Sequence, residues 1–263
     1  MSTSFVLLII LFALMFIIGG KRGVKSFFTL IFNFSILFIM IILISFGLDP
    51  IKVTVIFSVL ISIVTLFYIN GMNLKTVSSL FSVIIVILLT LLMTYNIGTS
   101  AEIQGFGNEQ AETLAFLSVY VQLNFSKIVL CEVLIGLLGA IIDVSISISS
   151  SMYEIHKSNP ASTKQNLFLS GMNIGKDILG TMTNTLLFAY IGGFMTLIIY
   201  FNGLHYSLSS IVNAKVFCSE VFQSLCGGIG IILIIPITSF ITSEVLCSKA
   251  ITKSLKLYDK FFN

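Results

Sequence analysis

One carboxylate in this chain stands in the middle of an apolar run. Asp143 lies in LLGAIIDVSISISSSMYE, residues 137–154. Read linearly the segment alternates like a strand, but an open strand leaves its backbone groups unsatisfied in lipid. Read as a helix, Gly136, Gly139/Ala140, Asp143, Ser147, Ser150 and Glu154 recur at steps of three and four and form one stripe. The stripe is small at one end and polar at the other. Small residues let a second helix approach closely, and the polar ones need partners there. A carboxylate at such depth costs at least roughly 2.5–3.5 kcal/mol on insertion scales. A carboxyl that titrates within reach of water suits a proton or ion relay. The bland alternative is an interhelical hydrogen-bond knot that fixes packing.

The segment SGMNIGKDILGTMTNT, residues 170–185, offers a matching surface. Gly171 and Gly175 form a small-xxx-small pair with Gly180 beyond. Asp177, Thr181 and Asn184 share one face, Thr185 lies beside them, and Lys176 stands at the entrance. A loop of about 20 residues makes the two helices antiparallel. At a rise of about 1.5 Å per residue, Asp143 lies roughly 12 Å inside its helix and Thr181 and Asn184 roughly 10–15 Å inside theirs. The expectation is a relay of Asp143, Ser147, Thr181, Asn184 and Thr185. Asp177, Lys176 and Glu154 would stand at its cytoplasmic mouth. Gly136, Gly139, Ala140, Gly171, Gly175 and Gly180 would serve helix packing.

The elements that must position these groups follow from composition. Hydrophobic residues make up 57% of the chain and charged residues only 10%, where soluble domains carry roughly 25% charged. Mean hydropathy is +1.09. A water-facing surface cannot be built from the remainder, so lipid is the solvent. A net charge of +3 gives nucleic-acid binding no electrostatic basis. Charge-free runs of about 20 residues, with 128–151 counted as a polar-faced span despite Glu132 and Asp143, predict an all-α bundle, residues 1–263, as a single integral membrane domain. Seven spans are expected, at roughly 4–20, 26–47, 52–71, 76–97, 128–151, 174–200 and 226–246. Two longer connections, near 98–127 and 201–225, read as short interfacial helices.

The cations are sorted. With seven spans, 11 of the 14 Lys and Arg fall in loops on one side, among them Lys21, Arg22, Lys25 and Lys249. Positive loops stay cytoplasmic, which predicts the N-terminus outside and the C-terminus inside. The first run is not expected to be a cleaved leader, since it lacks a basic start and a small-residue cleavage site.

Other chemistry is thin. Four cysteines, at 131, 218, 226 and 247, have no C-x-x-C spacing, so neither a metal site nor a cofactor is expected. A disulfide among Cys131, Cys218 and Cys226 stays open. No G-x-S-x-G, H-E-x-x-H or paired catalytic Asp motif occurs, so the chain reads as a non-enzyme. Pro236 is expected to kink the last span, and Asn33 and Asn70 to make packing hydrogen bonds.

LLGAIIDVSISISSSMYE, SGMNIGKDILGTMTNTLLFAYIGG and IGIILIIPIT, together with GGKRGVKSFFTL at 19–30 and INGMNLKTVSSL at 69–80, resemble the YibE/F family of bacterial multipass membrane proteins. The chain resembles the short form, without an extracytoplasmic domain before the spans. The resemblance implies a bacterial cytoplasmic membrane. It also implies a longer YibE-like partner, with a homo-oligomer as the other possibility. A more distant likeness is to the transmembrane half of SecF-type proteins and resistance-nodulation-division permeases, where an acid in the bundle couples proton movement to work. It implies the carboxylate role for Asp143, with Thr181, Thr183, Asn184 and Thr185 near it. The arginine-containing part of that motif is absent at Ser149–Tyr153. The expected function is a proton- or ion-coupled permease or export subunit of unknown substrate. The alternative is a non-transporting scaffold for a YibE-like partner.

Overall fold

The computed structural model describes residues 3–100, 125–203 and 205–248. Every element among them is helical: α1 Thr3–Ser45, α2 Pro50–Ile63, α3 Leu74–Ser100, α4 Phe125–Ser158, α5 Lys164–Gly203, α6 Leu208–Val212 and α7 Lys215–Cys247. Helix α2 continues through a π-helical stretch, Val64–Tyr68. Six helices among the described residues are long and apolar enough to cross a membrane.

Helix α1 is broken at Gly20, where φ is 52° and ψ −132°. That conformation is open to glycine and strained for other residues. The chain folds back there. Phe12 and Phe27 meet edge-to-face at 4.8 Å, and Gly23 lies against the Met15 carbonyl. A straight helix would hold Phe12 and Phe27 about 22 Å apart. The reversal is tight. Lys21, Arg22 and Lys25 are already helical, not loop residues.

The other boundaries are set by local chemistry. Asp49 caps α2, accepting from the Ile51 and Lys52 amides at 3.1 and 3.3 Å, and Pro50 sits where its missing N–H costs nothing. Asn73 and Thr76 cap α3 reciprocally: Thr76 N–H donates to Asn73 Oδ1 and Asn73 N–H to Thr76 Oγ1. Within 201–225, where an interfacial helix is expected, α6 has only five residues and α7 begins at Lys215, eleven residues before the predicted span. The other expected interfacial segment lies largely in 101–124, outside the described residues. Pro236 sits inside α7. The thiols of Cys131, Cys218, Cys226 and Cys247 are free.

The core lies where α3, α4 and α7 meet, with Val83, Val86, Leu137, Ile141, Ile148, Ile231 and Ile234 at its centre. It is lined with hydroxyls as well. Ser79 and Ser82 of α3, Ser145 and Ser149 of α4, and Thr238, Ser239 and Thr242 of α7 are fully buried. Most donate back to a carbonyl three or four residues earlier, which satisfies the donor without a partner helix. Helix α5 is the outlier. It buries only Leu167, Gly171, Gly175 and Phe201.

Candidate functional site

Helices α4 and α5 form an antiparallel pair, and glycines set its register. Toward the turn, Gly171 of α5 lies against Met152 of α4 and Ser239 of α7. At the far end Gly136 of α4 lies against the Tyr190 hydroxyl and Gln223. Gly175 sits against Ile235, and Gly227 against Leu186. A Cβ at any of these four would displace a packed side chain. Gly171 and Gly175 thus sit at a seam made with α7 and the end of α4.

The polar stripe of α4 is present as a line, but it is turned away from the core. Gly139, Asp143, Ser147 and Glu154 are exposed, Ala140 and Ser150 half-buried. Gly139 has open space around it. Asp143 makes no hydrogen bond or ion pair among the described residues. Ser145 and Ser149, on the opposite face, hold α4 in the bundle instead. Ser149 Oγ lies 2.5 Å from Ser79 Oγ, Ser145 Oγ donates to the Ser79 carbonyl at 3.2 Å, and Thr238 Oγ1 donates to Ser145 Oγ at 3.2 Å.

On α5 the predicted face is also turned outward. Lys176, Asp177, Gly180, Thr181, Asn184 and Thr185 are all exposed. Thr181 and Thr185 spend their hydroxyl protons on the Ile178 and Thr181 carbonyls, at 2.9 and 2.8 Å. No bond joins Asp143 or Ser147 to Thr181, Asn184 or Thr185. Gly171 and Gly175 set the packed face of α5, and Asp177 and Asn184 fall almost opposite it on a helix of 3.6 residues per turn.

Counted along the two helices, seven residues from the Gly136–Tyr190 contact bring Asp143 toward the level of Thr183, and nine from the Gly171–Met152 contact bring it toward Gly180. The Thr183 and Tyr190 hydroxyls are both buried without a hydrogen-bond partner. Asp143 has no ion pair among the described residues, and the two unpartnered hydroxyls of α5 stand two turns apart, about 10 Å along the helix. Thr183 entered the sequence reading only through the distant permease likeness, and Tyr190 and Gln223 not at all. Their signal was the seven-residue step 176–183–190 set against 136–143–150. The hydroxyl junction at Ser79, Ser145, Ser149 and Thr238 was missed because serines occupy both faces of 145–151.

The ends of the bundle are tied by ion pairs. Lys127 Nζ lies 2.5 Å from Asp49 Oδ2, joining the starts of α4 and α2. That hydrogen bond, helped by the two capping amides, holds the Asp49 carboxyl below its ordinary range against a smaller burial penalty. At the other end Lys164 lies 2.6 Å from Glu244, and Lys75 Nζ stands 5.9 Å from the centre of the Tyr153 ring. No group of three or more His, Cys, Asp and Glu able to hold a metal occurs among the described residues.

Six apolar helices around a hydroxyl-lined core, with no strand among the described residues, define a helical membrane protein. Over residues 7–248 the chain matches the YibE/F-like proteins, and it belongs to that family. No curated protein and no solved structure matches it.

Proposed function

We propose that the chain is a proton- or ion-coupled permease or export subunit in which Asp143 is the titrating group. The reading is carried by Asp143, a carboxylate within an apolar helix that makes no hydrogen bond or ion pair among the described residues, and by the buried, unpartnered Thr183 hydroxyl on the neighbouring helix. The interhelical knot that would make an intramembrane acid merely structural is built elsewhere, from Ser79, Ser149, Ser145 and Thr238. Intramembrane acids mark ion pathways by default. Thr183 and Tyr190 extend the path along the seam to one end. Ser147, Ser150, Lys176 and Glu154 extend it to the other. The fold-back at Gly20 supports a count of seven spans, since it divides α1 into two lengths of helix. With seven, the lysine distribution places the N-terminus outside and the C-terminus inside, in a bacterial cytoplasmic membrane. No catalytic role is proposed for any residue.

Proton flux into proteoliposomes, followed with a pH-sensitive dye, tests this. Asp143→Asn is expected to insert normally and lose gradient-dependent flux, and Thr183→Val to slow it. Full flux through Asp143→Asn sinks the reading.

A second reading rests on Gly139, which has open space above it on an outward face. A non-transporting scaffold for a YibE-like partner would use that space for close helix approach. Recovery of the partner by co-purification separates the two: scaffolding predicts loss with Gly139→Leu and little change with Asp143→Asn, and transport predicts the opposite weighting.

A further inference from the structure

We infer that α5 pairs with the α5 of a second copy of this chain through the face it turns away from its own bundle. The inference does not rest on the transport reading. Thr181, Asn184, Phe188, Ile191, Met195 and Ile198 follow one another at steps of 3, 4, 3, 4 and 3, and all six are exposed. Alternating steps of three and four keep a 3.5-residue period, which is the seam of a left-handed helix pair. The packed face of α5 lies on the other side, where Gly171 and Gly175 sit against α7. Among the described residues this seam meets no other helix. It runs for about 25 Å along the helix, most of the thickness of a hydrocarbon core.

The chemistry favours an identical partner. In lipid the apolar half, Phe188 to Ile198, gives packing but little driving force, and polar groups supply the specificity. Asn184 makes no hydrogen bond among the described residues and carries both a donor and an acceptor. A second Asn184 at the same depth completes both, and Thr181 one turn away retains its oxygen lone pairs as an acceptor. A polar Asn at a seam position fixes register and number of strands. A two-fold axis normal to the membrane brings equal depths together without further adjustment. Asp177 continues the line at the end where the helix leaves the hydrocarbon, so two copies of it face water rather than each other's dry contact.

The test is oxidative cross-linking in native membranes, in the full chain carrying Cys218→Ser and Cys247→Ser. Asn184→Cys and Ile191→Cys are expected to give a disulfide-linked species of twice the chain mass. Met182→Cys and Leu186→Cys, on the inward side, are expected to lose it. Absence of the doubled species from the first two, equal yields from all four, or a cross-link to a chain of different mass would each overturn the inference. The unsubstituted chain, expressed with two different tags, provides the independent readout. Each tag is expected to co-purify the other, and failure to do so overturns the pairing.

Discussion

The hydroxyls of Ser79 and Ser149 lie 2.5 Å apart, although 70 residues separate them in the chain. Either can donate, and each also has a carbonyl on its own helix, that of Lys75 for Ser79 and of Ser145 for Ser149. The pair ties α3 to α4 at a point where Thr238 of α7 also arrives through Ser145. Interhelical hydrogen bonds in a bilayer contribute modestly, averaging about 0.6 kcal/mol in double-mutant cycles. Ser79→Ala and Ser149→Ala are each expected to destabilise the bundle by about 1 kcal/mol. The double variant should fall short of additivity by about half that. Reversible unfolding in mixed micelles measures the coupling, and strict additivity would show that the two hydroxyls do not interact.

Glycines with and without neighbours should separate cleanly. Gly175 sits against Ile235, whereas Gly139 has open space. Gly175→Val is expected to cost about 1–3 kcal/mol through overpacking of the α5–α7 seam. Gly139→Ala is expected to be neutral or slightly stabilising, because alanine orders a helix better than glycine does. Thermal unfolding of the two purified variants checks the contrast, and equal losses would contradict the packing described.

The Gly20 reversal depends on a backbone conformation that side chains rarely adopt, although no atom crowds the position. Gly20→Val is expected to open the hairpin and not merely to loosen it. Cysteine placed at Ser4 reports the outcome through labelling by a membrane-impermeant maleimide from either side. Unchanged labelling in the Val variant would show that the fold-back tolerates another residue.

Asp49 carries a pH dependence with a definite sign. Its carboxyl is held low mainly by the hydrogen bond from Lys127 and secondarily by the amides of Lys52 and Ile51. A depressed folded value means that the contribution is fully present above the ordinary carboxylate pKa of about 3.9 and is lost as pH falls through the folded value. Near neutral pH, Asp49→Ala is expected to cost about 1 kcal/mol, mostly as a lost helix cap, since half-exposed ion pairs contribute little. The difference between wild type and variant should shrink on acidification below pH 4. A difference that persists at pH 2 would assign the effect to packing and not to charge.

Much of the bundle was legible in the sequence. Apolar runs located the described membrane helices, the 128–151 segment being counted as a polar-faced span despite Glu132 and Asp143, because a segment in lipid must satisfy its own backbone and must be apolar along most of its length. The Gly–Lys–Arg run at 20–22 marked a break, and the structure makes it a reversal at Gly20 with the cations already helical. The facing was not legible. Periodicity groups residues into stripes but does not say which stripe meets another helix. In water the apolar stripe turns inward by default; in lipid both faces can be apolar, and that rule is silent. Ser145 and Ser149 belong to the core and Asp143 and Ser147 to the outside because α3 and α7 approach α4 from the side of Leu137 and Ile141. Thr181 and Asn184 lie free because Gly171 and Gly175 commit the opposite face of α5 to α7. The sequence by itself determined the solvent and the helices. Only the tertiary structure decided azimuth, because the rotation of a helix about its axis is set by where its neighbours can pack most closely.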